Sequence, residues 1–138
     1  MYHSNLDVAH FNNISEGHFP EMLGIEITRV EEKKMLAKMP VKKAYFAPNG
    51  FLHAGSIVTF ADTLAGYATV AHLPDKGQSF TTLELKSNFV GAARQGTLIG
   101  EATAEHLGRT TQLGRVEVPE EESGKKVALF SCTQLVLY

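Results

Sequence analysis

The chain has 138 residues, 43% of them hydrophobic and 20% charged, with a formal net charge of −2. This size and composition predict one globular domain, and the weak charge without a basic stripe argues against nucleic-acid binding. Cys132 is the only cysteine, which excludes an internal disulfide, predicts a buried thiol and suits a reducing, cytoplasmic location.

The chain begins with a polar segment, residues 1–17, that we expect to be helical or loosely ordered within a single domain spanning 1–138. This segment has no apolar stretch of the kind found in secretory signals. Gly24 favours the end of a short helix, and a charged turn separates the two strand-like runs that follow. The predicted elements are a helix at 18–24 and strands at 25–30 and 35–41.

A long helix is predicted from about residue 53 to residue 72, after the turn signal Pro48-Asn49-Gly50 and before Pro74. Most of its positions are apolar, so other elements must cover it on most sides. Asp62 interrupts the apolar run, and we therefore expect this helix to lie inside the protein and not in a membrane.

Beyond the helix the hydrophobic period changes to two, which is typical of strands. The strands are predicted at 81–89, 98–105, 109–118 and 127–137. In the first of them one apolar set alternates with polar residues and predicts a buried face: Thr81, Leu83, Leu85 and Phe89. Hairpin-sized links favour antiparallel neighbours. A curved antiparallel sheet wrapped around one long helix satisfies this pattern and gives an α+β fold.

The long helix carries one narrow polar face. Gly55, Thr59, Asp62, Gly66 and Thr69 recur at helical spacing, with a single carboxylate at the centre. An ionised carboxylate in such a place costs roughly several kcal/mol unless it is paired. Either Asp62 is catalytic, or it pairs with an Arg or Lys of a neighbouring strand and fixes register. The small residues also suggest that a second copy of the chain meets this face.

The loop Asn49–Gly55 leads into the start of the helix. The first amides of a helix lack internal partners and lie at the positive end of its dipole, so they can stabilise an oxyanion. The small Ala54 and Gly55 leave this backbone accessible. The alternative is a simple turn in which His53 bonds to nearby backbone.

These residues together resemble the hotdog-fold acyl-CoA thioesterases, specifically the PaaI type within the 4-hydroxybenzoyl-CoA thioesterase superfamily. The resemblance rests on His53-Ala54-Gly55 at the helix start, on Asp62 nine residues after the His, and on Asn88-Phe89 before the loop 91–96. It covers roughly residues 20–138 and implies a hotdog fold and thioester hydrolysis.

The resemblance also implies a role for each matching residue. Asp62 would be the nucleophile or general base, and the Ala54 N–H, helped by Gly55, would polarise the thioester carbonyl. His53 would brace the loop, and Thr82 occupies a position where related enzymes place a Ser that assists water. Coenzyme A would be part of the substrate, and no separate cofactor is expected.

Two positions depart from the family pattern. The first family Gly is Ala54 here, which requires a negative φ at that residue. The family places an Asn or Gln six residues before the His, where this chain has Ala47. Asn49 could fill that role only if the turn around it compensates.

Coenzyme A carries phosphates, which predicts basic side chains at the mouth of the site. Arg94 is the first candidate and Lys86 the second, and Asn88 completes the predicted substrate contacts. For both basic residues the alternative is an ordinary solvated charge.

Other chemistries receive little support from the sequence. The six histidines form no pair with metal-ligand spacing, and no Gly-x-Ser-x-Gly elbow or dinucleotide-binding glycine motif is present. Two alternatives to a thioesterase stay open. One is an acyl dehydratase that uses His53, and the other is an acyl-CoA binder without catalysis.

The predicted site also needs two chains. Ala54 and Asp62 are eight residues apart, which is about 12 Å of helical rise. A nucleophile must come within roughly 3–3.5 Å of the carbon it attacks. We therefore predict a homodimer in which Asp62 of one chain lies beside Ala54 of the other. A tetramer built as a dimer of dimers is a separate expectation.

Overall fold

The computed structural model describes all residues from Met1 to Tyr138. Its elements are α1 (Val8–Ile14), α2 (Phe19–Met22), β1 (Glu26–Glu31), β2 (Lys34–Pro40), α3 (Ala54–Val70), β3 (Ser79–Phe89), β4 (Thr97–Leu107), β5 (Thr111–Pro119) and β6 (Lys126–Leu137). A short 3-10 turn, Lys43–Tyr45, precedes α3. All the predicted helices and strands are present, with ends shifted by a few residues. None of the helices is long and apolar enough to span a membrane.

The six strands form one sheet in the order β1-β2-β4-β5-β6-β3, and all neighbours are antiparallel. α3 packs against β2 to β6, so the sheet wraps the long helix and the core lies between them. The predicted α+β architecture of a hotdog fold is confirmed.

α3 forms where an N-cap meets a run of apolar residues. His53 is the N-cap, and its ring Nδ1 accepts the Gly55 N–H at 2.8 Å. Phe60 and Leu64 are fully buried against the sheet. Gly100 of β4 makes room for them, because a Cβ there would lie 2.9 Å from Phe60 Cζ and 2.8 Å from Leu64 Cδ2.

The N-terminal segment is helical and docks onto α3. Phe11 of α1 is fully buried and stacks on Tyr67 with ring centroids 5.2 Å apart. Ser15 shares a 2.6 Å hydrogen bond with the Tyr67 hydroxyl, and Asn12 bonds both backbone groups of Ile27. The segment is thus fixed to both the helix and the sheet.

A buried histidine closes the other end of α3. His72 Nε2 accepts the Lys33 N–H at 2.8 Å, and Nδ1 lies 2.8 Å from the Ala68 carbonyl oxygen. One bond needs an acceptor nitrogen and the other a donor, so this arrangement assigns a neutral ring. Burial lowers the pKa of His72 accordingly.

β3 is an edge strand that bonds only to β6. A bulge between Thr82 and Glu84 leaves Leu83 outside the regular pairing. The predicted buried face of this strand is wrong for a single chain. Leu83 is 55% exposed and Leu85 is 41% exposed, because no element lies beyond the edge to cover them.

Candidate active site

Asp62 lies in the middle of α3 and is half-buried. Its Oδ1 is fully buried and has no hydrogen-bond partner, and the carboxylate forms no ion pair. The structure therefore does not support the alternative in which Asp62 pairs with an Arg or Lys. A carboxylate oxygen without a partner is costly to the fold by about 1–3 kcal/mol.

Burial raises the pKa of Asp62 above its usual value of 3.8. Burial also raises the pKa of the Cys132 thiol to about 11, with smaller contributions from the charges of Asp62 and Glu84. Asp62 is therefore within electrostatic range of Cys132 on β6. As predicted, Cys132 is a buried thiol, and this pKa keeps it un-ionised at neutral pH.

The small-residue face of α3 has more than one structural cause. A Cβ at Gly66 would lie 3.0 Å from Phe80 Cζ, so Gly66 makes room for a ring of β3. The hydroxyls of Thr59 and Thr69 donate to carbonyls one turn earlier in the helix. Asp62 is thus the polar group on this face whose hydrogen-bonding capacity is free.

The loop before α3 folds as a tight turn. The Ala47 N–H donates to the Phe51 carbonyl at 2.8 Å, and Gly50 adopts φ +87°, which favours glycine. The Asn49 Oδ1 accepts the Phe51 N–H at 3.2 Å. The amide oxygen of Asn49 is therefore used within the turn. Only its NH₂ group is free to replace the Asn or Gln of the family pattern.

The helix start offers one free amide. The Gly55 N–H is bonded to His53, so the predicted help from Gly55 requires that bond to open. The N–H of Ala54 donates to no group of the chain, and Ala54 is not among the residues with positive φ. Because His53 accepts at Nδ1, its neutral ring carries the proton on Nε2. Through its bond to the Gly55 N–H, His53 braces the helix start. The same bond is also the contact with nearby backbone that the simple-turn alternative expects.

Tyr45, which the sequence pattern did not single out, ties this loop together. Its carbonyl accepts the His53 N–H at 2.9 Å, and the Ser56 hydroxyl, which donates to the His53 carbonyl at 2.7 Å, lies 3.2 Å from it. Its own hydroxyl donates to the Met22 carbonyl of α2 at 3.3 Å. The start of α3 and the end of α2 are thus held by one side chain and its backbone.

Two open grooves meet at His53. The Phe51 groove has a volume of about 490 Å³, and its walls include Phe51, Ala54 and Phe89. The Phe19 groove has a volume of about 260 Å³, and its walls include Phe19, Met22, Tyr45, Gly55 and Thr59. A ligand at the Ala54 N–H can therefore extend in two directions.

The predicted substrate-binding residues fall on different surfaces. The guanidinium of Arg94 lies 4.5 Å from the centroid of the Phe51 ring and forms no ion pair, so its N–H groups stay available beside the Phe51 groove. Lys86 and Asn88 pair with Ser131 and Leu129, on the outer face of the sheet. That face is opposite to Asp62, which argues against a contact with a ligand in either groove of the same chain.

Thr82 faces the helix because of the bulge in β3. It lies opposite the buried Gln134, and its hydroxyl donates to Gln134 Oε1 at 2.7 Å. Gln134 in turn donates to Cys132 Sγ at 3.4 Å. This arrangement leaves the lone pairs of the Thr82 hydroxyl free to accept from water. Gln134 was missed because it reads as one more residue of an alternating strand.

The structure thus brings Asp62, Cys132 and Thr82 to one side of α3 and Ala54, His53 and Arg94 to its start. The helical rise between Ala54 and Asp62 is about 12 Å, so one chain does not place the free amide beside its own carboxylate. Each half has the chemistry of an acyl-transfer site, an oxyanion donor in one case and a base or nucleophile in the other.

Comparisons with known proteins agree with this chemistry. The sequence profile of the thioesterase superfamily matches residues 49–127. The proofreading thioesterase EntH of Cronobacter turicensis is 31% identical over 125 residues, which cover 88% of this chain and 88% of that protein. The 1,4-dihydroxy-2-naphthoyl-CoA hydrolase of Listeria monocytogenes is 29% identical to this chain. The alignment covers 82% of this chain and 90% of that protein.

The fold also matches solved structures. The crystal structure of a mutant of thioesterase PA1618 from Pseudomonas aeruginosa superposes with a TM-score of 0.92 at 26% sequence identity. The match covers 99% of this chain and 97% of that chain.

Proposed function

This chain belongs to the thioesterase superfamily and is a thioester hydrolase, and we propose that its substrates are acyl- or aryl-acyl-coenzyme A thioesters cleaved at a site built from Ala54 and Asp62. The predicted resemblance to hotdog thioesterases is confirmed at the level of the family. The observation that carries the proposal is the half-buried, unpartnered carboxylate of Asp62 on the helix whose first amide is free.

In the proposed reaction the thioester carbonyl oxygen accepts a hydrogen bond from the Ala54 N–H at the positive end of α3. This bond strengthens as negative charge develops on the oxygen. Asp62 either removes a proton from the attacking water or attacks the carbonyl carbon itself. The C–S bond then breaks and the coenzyme A thiolate leaves. In the first route the thiolate takes the proton that Asp62 removed from water. In the second route an anhydride between Asp62 and the acyl group forms, and its hydrolysis by water restores the Asp62 carboxylate, releases the acid and supplies the proton to the thiolate. A pKa raised by burial makes Asp62 a stronger base than an exposed carboxylate.

Arg94 supports coenzyme A as the leaving group. Its guanidinium lies over the Phe51 ring, and its N–H groups remain free for phosphate oxygens. The relative from Listeria monocytogenes is named for an aryl-CoA substrate, which supports the same class here. Lys86 and Asn88 have no part in this proposal because they lie on the outer face of the sheet.

We further propose that two chains share each site. An attacking atom must reach the carbonyl carbon within roughly 3–3.5 Å, which the rise of α3 does not permit within one chain. β3 supports a second copy, because this edge strand exposes Leu83 and Leu85. The other edge, β1, has six residues, with a bulge after Ile27 and charged Glu26, Arg29 and Glu31. Antiparallel β3–β3 pairing would extend the sheet and bring the two helices together. A tetramer of such dimers and a cytoplasmic location stay predictions.

The two alternatives receive less support. A dehydratase of this fold needs a His that faces a carboxylate, but the His53 ring bonds to the Gly55 amide and makes no bond to Asp62. A binder without catalysis was suggested by the departure at Ala54. The substitution of the family Gly by Ala54 requires that φ at this residue is not positive, and Ala54 meets this condition.

The test uses two inactive variants, Asp62→Asn and Ala54→Pro. Proline is tolerated at the first position of a helix and removes the N–H. After full random exchange half of the dimers are mixed, and each of these has one intact site. Shared sites therefore predict recovery of about a quarter of the wild-type coenzyme A release per chain.

An Ala54→Ser variant is the matched control, because it keeps the N–H and should stay active. Two affinity tags, one on each variant, verify that mixed dimers have formed. No recovery in verified mixed dimers would place the whole site in one chain and refute the proposal. Activity of either variant alone would refute the role given to that residue.

A further inference from the structure

We infer that the Phe19 groove is the acyl pocket of this enzyme and that it selects apolar acyl groups through Phe19 and Met22 of α2. The inference rests on the proposed function and assigns the two directions in which a ligand extends from His53. The acyl group enters the Phe19 groove, and the coenzyme A part leaves through the Phe51 groove.

The first support is the apolar surface of α2. Phe19 is 54% exposed and Met22 is 70% exposed, although both are large apolar side chains. They form one wall of the groove, and Gly55 and Thr59 at the start of α3 form the other. Flexible methionine side chains suit surfaces that receive apolar ligands of varied shape. An apolar ligand would cover both side chains at the point where the thioester is held.

The second support is the connection between α2 and the free amide. The hydroxyl of Tyr45 donates to the Met22 carbonyl, and the carbonyl of Tyr45 accepts the His53 N–H. The Ser56 hydroxyl donates to the His53 carbonyl at 2.7 Å and lies 3.2 Å from the Tyr45 carbonyl. The wall of the groove and the start of α3 are therefore held in a fixed relation, which a pocket for a group bonded to the reacting carbon requires.

The third support is the distribution of charge. Neither the Phe19 groove nor the Phe51 groove has Lys, Arg, Asp or Glu in its walls, so the charge that distinguishes the two directions lies just outside them. Arg94 supplies that charge beside the Phe51 groove, where its guanidinium carbon lies 4.5 Å from the centroid of the Phe51 ring. Phosphates carry several negative charges, so they belong on the side of Arg94 and the uncharged acyl group on the side of Phe19.

The size of the groove fits this assignment. At about 260 Å³ it lies just below the range for small-molecule pockets, roughly 300–1,000 Å³. That volume suits a short- or medium-chain acyl group or a single aromatic ring, and a whole acyl-coenzyme A does not fit in it. His53 lines both grooves, so one ligand can pass from one to the other across the helix start.

The experiment compares kcat/KM for hexanoyl-CoA and acetyl-CoA in the full-length enzyme. Met22→Ala and Phe19→Ala should each lower the ratio of hexanoyl-CoA to acetyl-CoA, and the double variant should lower it about tenfold. Ile14→Ala is the matched control, because Ile14 is also an exposed apolar residue, at 45%, but does not line the groove. An unchanged ratio in the double variant would overturn the inference.

The direction of the ligand has its own test. Arg94→Ala should raise the KM of hexanoyl-CoA at least several-fold more than that of hexanoyl-pantetheine, which lacks the nucleotide. Lys43 is exposed and lies next to Ala44, which lines the Phe19 groove. It is therefore the basic residue that would bind the coenzyme A phosphates if they lay at the Phe19 groove instead. If Lys43→Ala and not Arg94→Ala separates the two substrates, the phosphates lie at the Phe19 groove and the inference is wrong.

Binding distinguishes this inference from the proposed function. Calorimetry with non-hydrolysable thioether analogues of acetyl- and hexanoyl-CoA measures how tightly each acyl group binds, without turnover. Hexanoyl preference that depends on Met22 would support the groove even if the wild type released no coenzyme A, a result that would refute only hydrolysis. If the double variant changes the mass of the oligomer in solution but not the preference, α2 is a subunit contact and the inference fails.

Discussion

Asp62→Asn should remove most of the hydrolysis and at the same time make the protein more stable. The two side chains match in shape, but the amide cannot act as a base or nucleophile. In the wild type one carboxylate oxygen is buried without a hydrogen-bond donor, so the charge is held at a cost. A residue that served only the fold would show the opposite combination, loss of stability with retained turnover.

The magnitudes follow from burial and from the role of the base. An unsatisfied buried polar group costs about 1–3 kcal/mol, and since the Asn NH₂ also lacks a partner we expect a gain of about 1 kcal/mol. For a domain of this size that corresponds to a rise in Tm of about 3–5 °C. The turnover number should fall by about 10²- to 10⁴-fold, with little change in KM.

The pH dependence provides an independent check. Burial raises the pKa of Asp62 in the folded state above its ordinary value of 3.8, so the ionised form is the destabilised one. The stability advantage of Asp62→Asn should therefore be full at pH 7 and shrink as the pH falls through the raised pKa towards 3.8. Below that range both states of the wild type are protonated, and the advantage should vanish.

The assay pairs coenzyme A release with thermal unfolding followed by circular dichroism at fixed protein concentration. Glu84→Gln is the matched control, because Glu84 also lies near Cys132 but is exposed and accepts a hydrogen bond from Thr133. It should change neither property by much. A folded Asp62→Asn variant with near-wild-type turnover would refute the mechanism, and one that is inactive but clearly less stable would refute the reasoning that the buried charge is a cost to the fold.

Two further predictions concern the fold. Burial and the Lys33 N–H hold His72 neutral and lower its pKa, so the protein should lose stability as the pH falls below about 6.5. In urea titrations the His72→Gln variant should lose less unfolding free energy than the wild type between pH 7.5 and pH 5. An equal loss in both proteins would contradict this. Gly100→Ala should lower stability by about 1–3 kcal/mol in the same assay, because the new methyl group would overlap Phe60 and Leu64 in the core. An unchanged midpoint would mean that those side chains move aside without cost.

Local sequence signals were sufficient for the architecture. The turn at Pro48-Asn49-Gly50, the apolar run and Pro74 together delimit α3, because each acts on the few residues beside it. The strands followed from their period of two. Asp62 was predicted to be catalytic because a lone carboxylate among apolar and small residues is unusual in any helix, and its role stays a prediction.

What the sequence did not reveal depends on contacts between distant segments. The bulge at Leu83 is a property of the pairing between β3 and β6, and it decides that Thr82 and not Thr81 faces the helix. Gly66 looked like part of a surface for a second chain, but Phe80 fills the space beside it. The bond from Tyr45 to Met22 joins two separate elements of the chain, and no local pattern marks it.

The position of α2 has a consequence for how such enzymes diverge. Its backbone is fixed through Tyr45, whereas Phe19 and Met22 are mostly exposed and bury little in the core. Substitutions at these two positions should therefore be nearly neutral for folding. The proposed reacting groups, Ala54 and Asp62, are on a different element, some thirty to forty residues later in the chain. Preference for one substrate over another could thus drift through two side chains of a four-residue helix, while the reaction and the architecture stay as they are.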